Sequence, residues 1–498
     1  MSVTSTNQEY DANKWKWQRC RDVIEGKDAI IQNGRSRERY IGSLFDHTFN
    51  PDLYLPRLTN QTDAEYIAYA ERAAFFNATG RTLDAMTGLI FAKDPQFLLP
   101  TAIQSFANDV TLTDTNLREF SEQVVEQQIA VGRVGIMVDY PENAPTQITI
   151  ADAERLNVRP FLRWYATESI INWREEMIGG AKKLVMVVLK EEVDVATSEF
   201  VVEKRDQYRV LQLTDEGYRV RVYNDDNTII SEMFPTMRGA PMTEIPFIIL
   251  GANSASVAVQ KPPLLDLVDT NLAHYRNSAD YEHGLHFTGL PTPYVSGVQL
   301  AEGQILALGS KTAWVFPDPS AKAEFLEFKG DGLKTIREAL KDKEHRMAVL
   351  GARMLADDKR TAEAFGTIEL KTAGERSVLA SISRAASDAM VKALDWMAAW
   401  VGAPEESQFS LNTDYGATRM EPQMLTALIG AYQSDVMPLS VLFDNLQQGE
   451  LIRPDLAFED YEAQLADQGP DLAVPESPVE EVADQQTFIA SIRERLGV

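Results

Sequence analysis

The sequence predicts an α+β fold, and three observations carry that prediction. Between about 160 and 250, apolar residues recur with period two, the spacing of half-buried strands. Three later stretches, at about 264–287, 331–354 and 369–401, place apolar residues at steps of three and four, the spacing of one helix face. Glycine and proline punctuate both regions where an element must stop, as at Gly132, Gly217, Gly289 and Gly402.

Residues 1–61 read as polar and turn-rich, with Trp15 and Trp17 as anchors. A helix is predicted to open at Thr62, because Thr62 and Glu65 stand at capping-box spacing. It carries Tyr66, Ile67, Tyr69, Ala70 and Ala73 and continues through Leu83, Met86, Leu89, Ile90 and Phe91. A second helix covers about 115–131, stops at Gly132 and feeds a strand over 134–139. Residues 184–189 form a continuous apolar strand, while 208–213 and 218–223 flank Asp215-Glu216-Gly217 as a hairpin. A strand over 245–250 closes this α+β region.

The segment from Pro263 to Gly297 follows. Leu264, Val268, Leu272, Tyr275 and Ala279 share one stripe, opposite a wet or polar-packed face of Asp266, Asp269, Asn271, Arg276, Asn277, Asp280 and Glu282. About 24 helical residues span about 36 Å, a strut rather than a core filler. It ends at Gly289, Pro291 and Pro293, since proline lacks the backbone donor a helix needs. Short strands follow within 294–328, including 313–316 and 324–328. A helix over 331–354 then presents Leu333, Ile336, Leu340, Met347, Leu350 and Met354 on one side. Residues 355–368 lack a sustained apolar stripe and read as a loop. The longest helix carries Leu379, Ile382, Ala386, Met390, Ala393, Met397 and Trp400 before Gly402 and Pro404 end it. Short helices such as 439–448 come next, then an acidic, proline-rich linker over 469–484. A last amphipathic helix bears Phe488, Ile489, Ile492 and Leu496. No internal repeat interrupts this order.

Composition narrows the function classes. The 498 residues are 44% hydrophobic, enough for several domains, and no apolar run reaches the ~18 residues that span a bilayer. Nothing at the N-terminus reads as a secretion signal. A single cysteine, Cys20, excludes internal disulfides and any multi-cysteine metal site, which fits a reducing, cytosolic setting. Net charge is −26 and unevenly spread: 404–484 holds 17 acidic residues against Arg419 and Arg453, while 11–40 holds eight Lys/Arg against five acids. That sign argues against tight nucleic-acid binding, which rests on neutralising phosphates, but permits a polyanion to pass without sticking.

Enzyme signals are weak. His274, His283 and His286 fall in the strut, and the last two share a helical face, yet H-E-x-x-H is absent and a third ligand would have to come from elsewhere. The acidic pairs Glu175/Glu176, Glu191/Glu192, Asp225/Asp226 and Asp357/Asp358 fit solvated turns better than converging catalytic carboxylates. No phosphate-cradling glycine motif, nucleophile elbow or zinc signature is present, and Gly132-Arg133-Val134-Gly135 reads as a helix-to-strand turn. No metal or cofactor is expected. The 331–354 helix interleaves Lys334, Arg337, Lys341, Lys343 and Arg346 with Glu338, Asp342 and Glu344, in isolation a salt-bridged surface helix.

This order of elements resembles that of tailed-bacteriophage portal proteins: α/β wing, stem helix, β-containing clip, returning stem helix, tunnel loop, long wing-to-crown helix and helical crown. The wording of YLPRLTNQTDAEYIAYAERAAFFNATGRTLDAMTGLIFAKDP (54–95) and NLAHYRNSADYEHGLHFTGLPTPYVSG (271–297) resembles a portal-like phage family otherwise known as a domain of unknown function. The resemblance covers roughly 50–460. It implies a wing over 1–263, stem helices over 264–287 and 331–354, a clip over 288–330, a tunnel loop over 355–368, a long helix over 369–402 and a crown over 403–468. The segment 469–498 lies beyond it.

The family's properties then become expectations for this chain. It would form a homo-oligomeric ring, typically a dodecamer, at a capsid vertex, and conduct double-stranded DNA during packaging and ejection. It would be assembled in the host cytoplasm, meet the major capsid protein, and dock the large terminase and then the head–tail adaptor. It would itself be no enzyme, since ATP hydrolysis belongs to the terminase. Lys359 and Arg360 on the loop, with Lys334, Arg337 and Lys341 on the stem, would touch DNA in an acidic channel, and Gly289, Pro291 and Pro293 would mark the stem-to-clip transition. The alternatives are another ring-forming head–tail connector and a phage metal-dependent nuclease using the histidines or acidic pairs.

Overall fold

The computed structural model describes residues 2–35, 54–141 (save 58), 152, 155–289, 292–297, 314, 316, 318–326, 331–353, 378–403, 406–415 and 422–467 (save 435, 449–450 and 454–455). The chain divides into two compact units, Met1–Tyr415 and Gly416–Val498. Helix and sheet are mixed throughout the first, as an α+β fold requires.

The N-terminal region corrects its turn-rich expectation: residues 8–35 form α1 (Gln8–Glu25) and α2 (Lys27–Arg35). Asn7 caps α1, its side chain accepting from the Glu9 amide at 2.9 Å. Trp17, Cys20 and Val23, three apart, are fully buried. Trp17 is an anchor, whereas Trp15 is half-buried beneath the Arg19 guanidinium, 4.6 Å from its ring.

α3 (Asp63–Arg72) opens with the predicted capping box. The Thr62 amide donates to Glu65 at 2.8 Å, and the Glu65 amide donates to the Thr62 hydroxyl at 3.4 Å. The expected continuation is a separate helix, α4 (Ala78–Ile90), restarted by Asn77, which accepts from the Gly80 amide at 2.8 Å. In the break between them, Phe75 meets Tyr275 edge-on at 5.7 Å.

After the short strand β1 (Gln96–Leu98), α5 (Leu117–Val131) begins with a second capping box, Asn116 and Glu119. It ends at Gly132, whose φ of 72° is left-handed. A Cβ there would lie 3.1 Å from Pro263 Cδ, so backbone conformation and close approach both require glycine. β2 (Arg133–Asp139) follows and pairs with β3 (Phe161–Ala166).

The period-two region forms a five-stranded antiparallel sheet in the order β4 (Ile170–Ile178), β5 (Ala181–Ala196), β6 (Val202–Thr214), β7 (Gly217–Asn224) and β8 (Ile229–Met233). The predicted hairpin is present, with Thr214 opposite Gly217. β5 is longer than the apolar run 184–189 that marked it. The two-residue strands β9 (Thr236–Met237) and β10 (Ala240–Pro241) pair with each other. β11 (Phe247–Gly251) leaves the large sheet to pair with β2 in a three-stranded sheet. Two apolar layers hold these sheets, one including Val187, Leu189, Leu211, Val220 and Phe247, the other Ile171, Val188, Tyr208 and Val210.

α6 (Leu265–Gly289), β12 (Thr292–Ser296), β13 (Lys322–Leu326) and α7 (Asp331–Arg353) follow, then α8 (Val378–Val401) and β14 (Gln408–Ser410), which pairs with β1. The expected strands over 313–316 and 324–328 lie partly outside the described residues, as do 369–377 of the long helix and the whole loop 355–368. α8 is buried around most of its circumference. Its stripe from Leu379 to Met397 is joined inside by Ala380, Ser383, Ala385, Ser387 and Ala389. The buried serines are satisfied: Ser387 donates to the Ser383 carbonyl at 2.8 Å and accepts from the Leu411 amide at 3.0 Å.

The second unit contains α9 (Pro422–Gln433), α10 (Leu439–Gln448) and α11 (Phe458–Asp467). Phe443 on α10 packs against Phe458 and Tyr461, with ring centres 5.4 and 4.9 Å apart. The amphipathic helix expected near residue 490 lies outside the described residues.

Candidate functional site

The strut expectation holds for only half of α6. Its stripe is buried as predicted, from Leu264 through Ala279, but this first half is also core on its polar side. Asn271 is fully buried, accepting from the Thr79 amide (3.1 Å) and hydroxyl (2.9 Å) and donating to the Phe76 carbonyl (2.8 Å). Arg276 donates to the Tyr54 carbonyl at 2.9 Å, and Arg19 pairs with Asp269 at 3.2 Å. From Asp280 onward, burial falls away and the helix projects.

α6 lies antiparallel to α7 from the buried half into the projecting half. Gly284 faces Leu333, where an added Cβ would approach Leu333 Cδ2 at 2.5 Å, and His274 Nε2 lies 3.3 Å from Glu344 Oε1. Met347 on α7 is buried in the main core, and Leu350 packs against it. β12 and β13 form an antiparallel ribbon at the free end of this pair, with Tyr294 opposite Glu324 and donating to it at 2.5 Å. Gly289 is the last residue of α6, Pro293 is the second of β12, and Pro291 lies outside the described residues.

The histidines sit among aromatic and cationic neighbours. His283 meets Tyr69 and Phe287 edge-on at 5.2 and 4.7 Å, His274 stands 5.9 Å from Phe76, and His286 Nε2 lies 3.3 Å from Arg72. Among the described residues, no group of three His, Cys, Asp or Glu side chains is placed to hold a metal ion. Burial pushes the pKa of His274 down, against the opposing pull of Glu344. Burial also lowers that of His283, reinforced by Arg72 and His286. Both imidazoles are therefore neutral in the fold at a pH where the unfolded chain would take a proton. Their contribution to stability is complete above the unfolded value of about 6.5 and is lost as pH falls through the folded values. The urea midpoint is expected to fall between pH 7.5 and 5.5, and His274→Gln/His283→Gln should flatten that fall.

Lys334, Arg337 and Lys341 on α7 are all exposed, and at steps of three and four they form one ridge. Glu338 and Asp342 form a neighbouring ridge. The salt-bridged surface expected from their spacing is not formed: none of these five has an ion-pair partner within 4 Å among the described residues. Along the helix the like pairs Arg337/Lys341 and Glu338/Asp342 are balanced by the opposite pairs Lys334/Glu338 and Glu338/Lys341 at the same spacings. Lys359 and Arg360 lie outside the described residues. Of the acidic pairs, Glu191 is structural. It accepts from Tyr165 (2.7 Å), Arg209 (3.0 Å) and Gln207 (2.6 Å), and these partners hold its pKa down against burial.

Sequence reasoning missed Asn271 as a polar pin and Gly284 as the notch at the helix crossing. The second had a signal, since glycine in a helix interior is costly unless something needs the space.

No curated protein matches this chain. Solved structures with a similar chain include one titled the neck of an empty GTA particle computed with C6 symmetry (11% identity, TM-score 0.40, covering 80% of this chain and 93% of that one). Another is titled the virion of a native gene transfer agent particle (12% identity, TM-score 0.39, covering 80% and 92%). Residues 263–401, the stretch that holds α6, the ribbon, α7 and α8, match the model of a family described as a domain of unknown function, DUF4055.

Proposed function

We propose that this chain is the subunit of a phage-type portal ring that conducts double-stranded DNA through a capsid vertex. The observation that carries this reading is the antiparallel α6/α7 pair. It bears a β ribbon at its end and an exposed cationic ridge without ion-pair partners among the described residues, and it is rooted in a core crossed by α8. The reading assigns α6 and α7 to the stem, the ribbon to the clip that meets the large terminase and then the head–tail adaptor, and α8 to the long helix. The wing sheets would lie toward the major capsid protein. The ring's localisation would be the virion, after assembly in the host cytoplasm.

Physical chemistry supports the division of labour. A net charge of −26 per copy keeps phosphate from adhering, while Lys334, Arg337 and Lys341 offer sparse, sequence-blind contacts. Nothing in this role needs bond chemistry by the chain itself. Purified protein is expected to form a ring near twelve subunits with an axial hole, seen by negative stain and weighed by native mass measurement. A compact monomer or dimer that cleaves DNA with added metal would overturn the reading in favour of a nuclease.

A further inference from the structure

The five-stranded sheet carries an arm. Beyond the last β4 partner (Ile170 opposite Leu189) and the last β7 partner (Gln207 opposite Asn224), β5 and β6 run on alone from the Glu192–Asp206 pair to the Ala196–Val202 pair. At about 3.4 Å per residue this free ribbon extends about 14 Å before its connecting loop. Its shaft is held by exposed cross-strand ion pairs, Lys190–Asp206 at 2.7 Å and Lys204–Glu192 at 2.6 Å. Such pairs contribute little, and a lone two-stranded ribbon is marginal in water. Its tip is nevertheless apolar: Phe200 is 88% exposed, with Val201 at 52% and Val202 at 59%. At the opposite end of the same sheet, the β4–β5 turn at Gly179-Gly180 presents a second apolar spot, Met177 at 65% and Ile178 at 40% exposed.

We infer that the arm is a latch between copies: the Phe200 tip of one copy seats on Met177 and Ile178 of the next. The inference rests on the ring reading and adds to it the contact that orders neighbours. Donor and acceptor lie at opposite ends of one sheet, so the contact is head-to-tail, the kind that generates rings. Whole copies of charge −26 repel one another, but the two spots are complementary: exposed Glu199 adjoins Phe200 on the tip, and exposed Lys182 stands opposite Met177 on the acceptor. Burying a phenylalanine removes about 150–250 Å² from water, well short of the roughly 1,200 Å² a stable interface needs. The latch therefore supplements a larger contact and sets register.

The test uses the full chain. Phe200→Asp is expected to raise the concentration for half-assembly at least about tenfold, the effect of a modest hot spot. Its thermal melt should stay unchanged, because Phe200 touches no core. In a Met177→Cys/Phe200→Cys variant, a short bis-maleimide should link copies into a ladder. Cys20 should stay silent, being fully buried with its thiol pushed up to about 12 by burial. Wild-type protein that forms no ring overturns the portal reading and the latch together. Rings that assemble equally well with Phe200→Asp, or that give no ladder, overturn the latch alone.

Discussion

Asn271→Ala is expected to cost about 2–5 kcal/mol, because it strips the buried amide and hydroxyl of Thr79 of their acceptor at once. The Asn271 side chain is the link between α6 and the start of α4, accepting twice from Thr79 and donating to the Phe76 carbonyl. Alanine would leave the Thr79 amide and hydroxyl without an acceptor, while the Phe76 carbonyl keeps the Ala78 amide at 2.8 Å, and an unsatisfied buried group costs about 1–3 kcal/mol. Thr79→Val is the informative contrast. It removes one hydroxyl while the Thr79 amide keeps its acceptor, so its loss should stay below about 1.5 kcal/mol. Denaturant midpoints of the two variants measure the difference. If Asn271→Ala costs no more than Thr79→Val, α6 is held by its apolar stripe alone.

Trp17→Ala is the other large effect, about 3–5 kcal/mol, the usual range for emptying a buried aromatic site. Trp17 is fully buried and packs edge-on with Tyr10 at 5.7 Å. Its indole nitrogen has no hydrogen-bond partner among the described residues, so its worth is volume and area rather than polarity. Trp17→Phe should therefore cost less than half as much, and it would remove an orphaned donor. Equal losses for the two variants, read from the same midpoints, would mean that the N–H is satisfied in solution.

These two residues mark the limits of what the sequence discloses. Trp17 was legible as an anchor from its type, but the helix around it was not. The buried residues of α1 are Trp17, Cys20, Val23 and the charged Asp22, too narrow a line beside so many charges to register as an apolar stripe. Asn271 was legible only as one member of a polar face, because the sequence does not distinguish a wet asparagine from one whose partners lie about 190 residues away. The break between α3 and α4 was hidden for the same reason: it brings Phe75 to Tyr275, 200 positions on. The β5–β6 arm escaped notice because its outer β6 side, Glu203-Lys204-Arg205-Asp206, is a run of charges with no apolar alternation.

Local chemistry, by contrast, was decided within a few residues. The capping box at Thr62, the stop at Gly132, the hairpin at Asp215-Glu216 and the stripes of α6 and α8 all follow from neighbours one to four positions apart, and the structure contains each of them. Periodicity reports which face of an element is apolar. It is silent on what covers that face, since burial is set by side chains far away along the chain. Only the tertiary structure decided that α6 is half core and half projection, that Gly284 is where the paired helices close, and that the cationic ridge of α7 stands open without partners among the described residues.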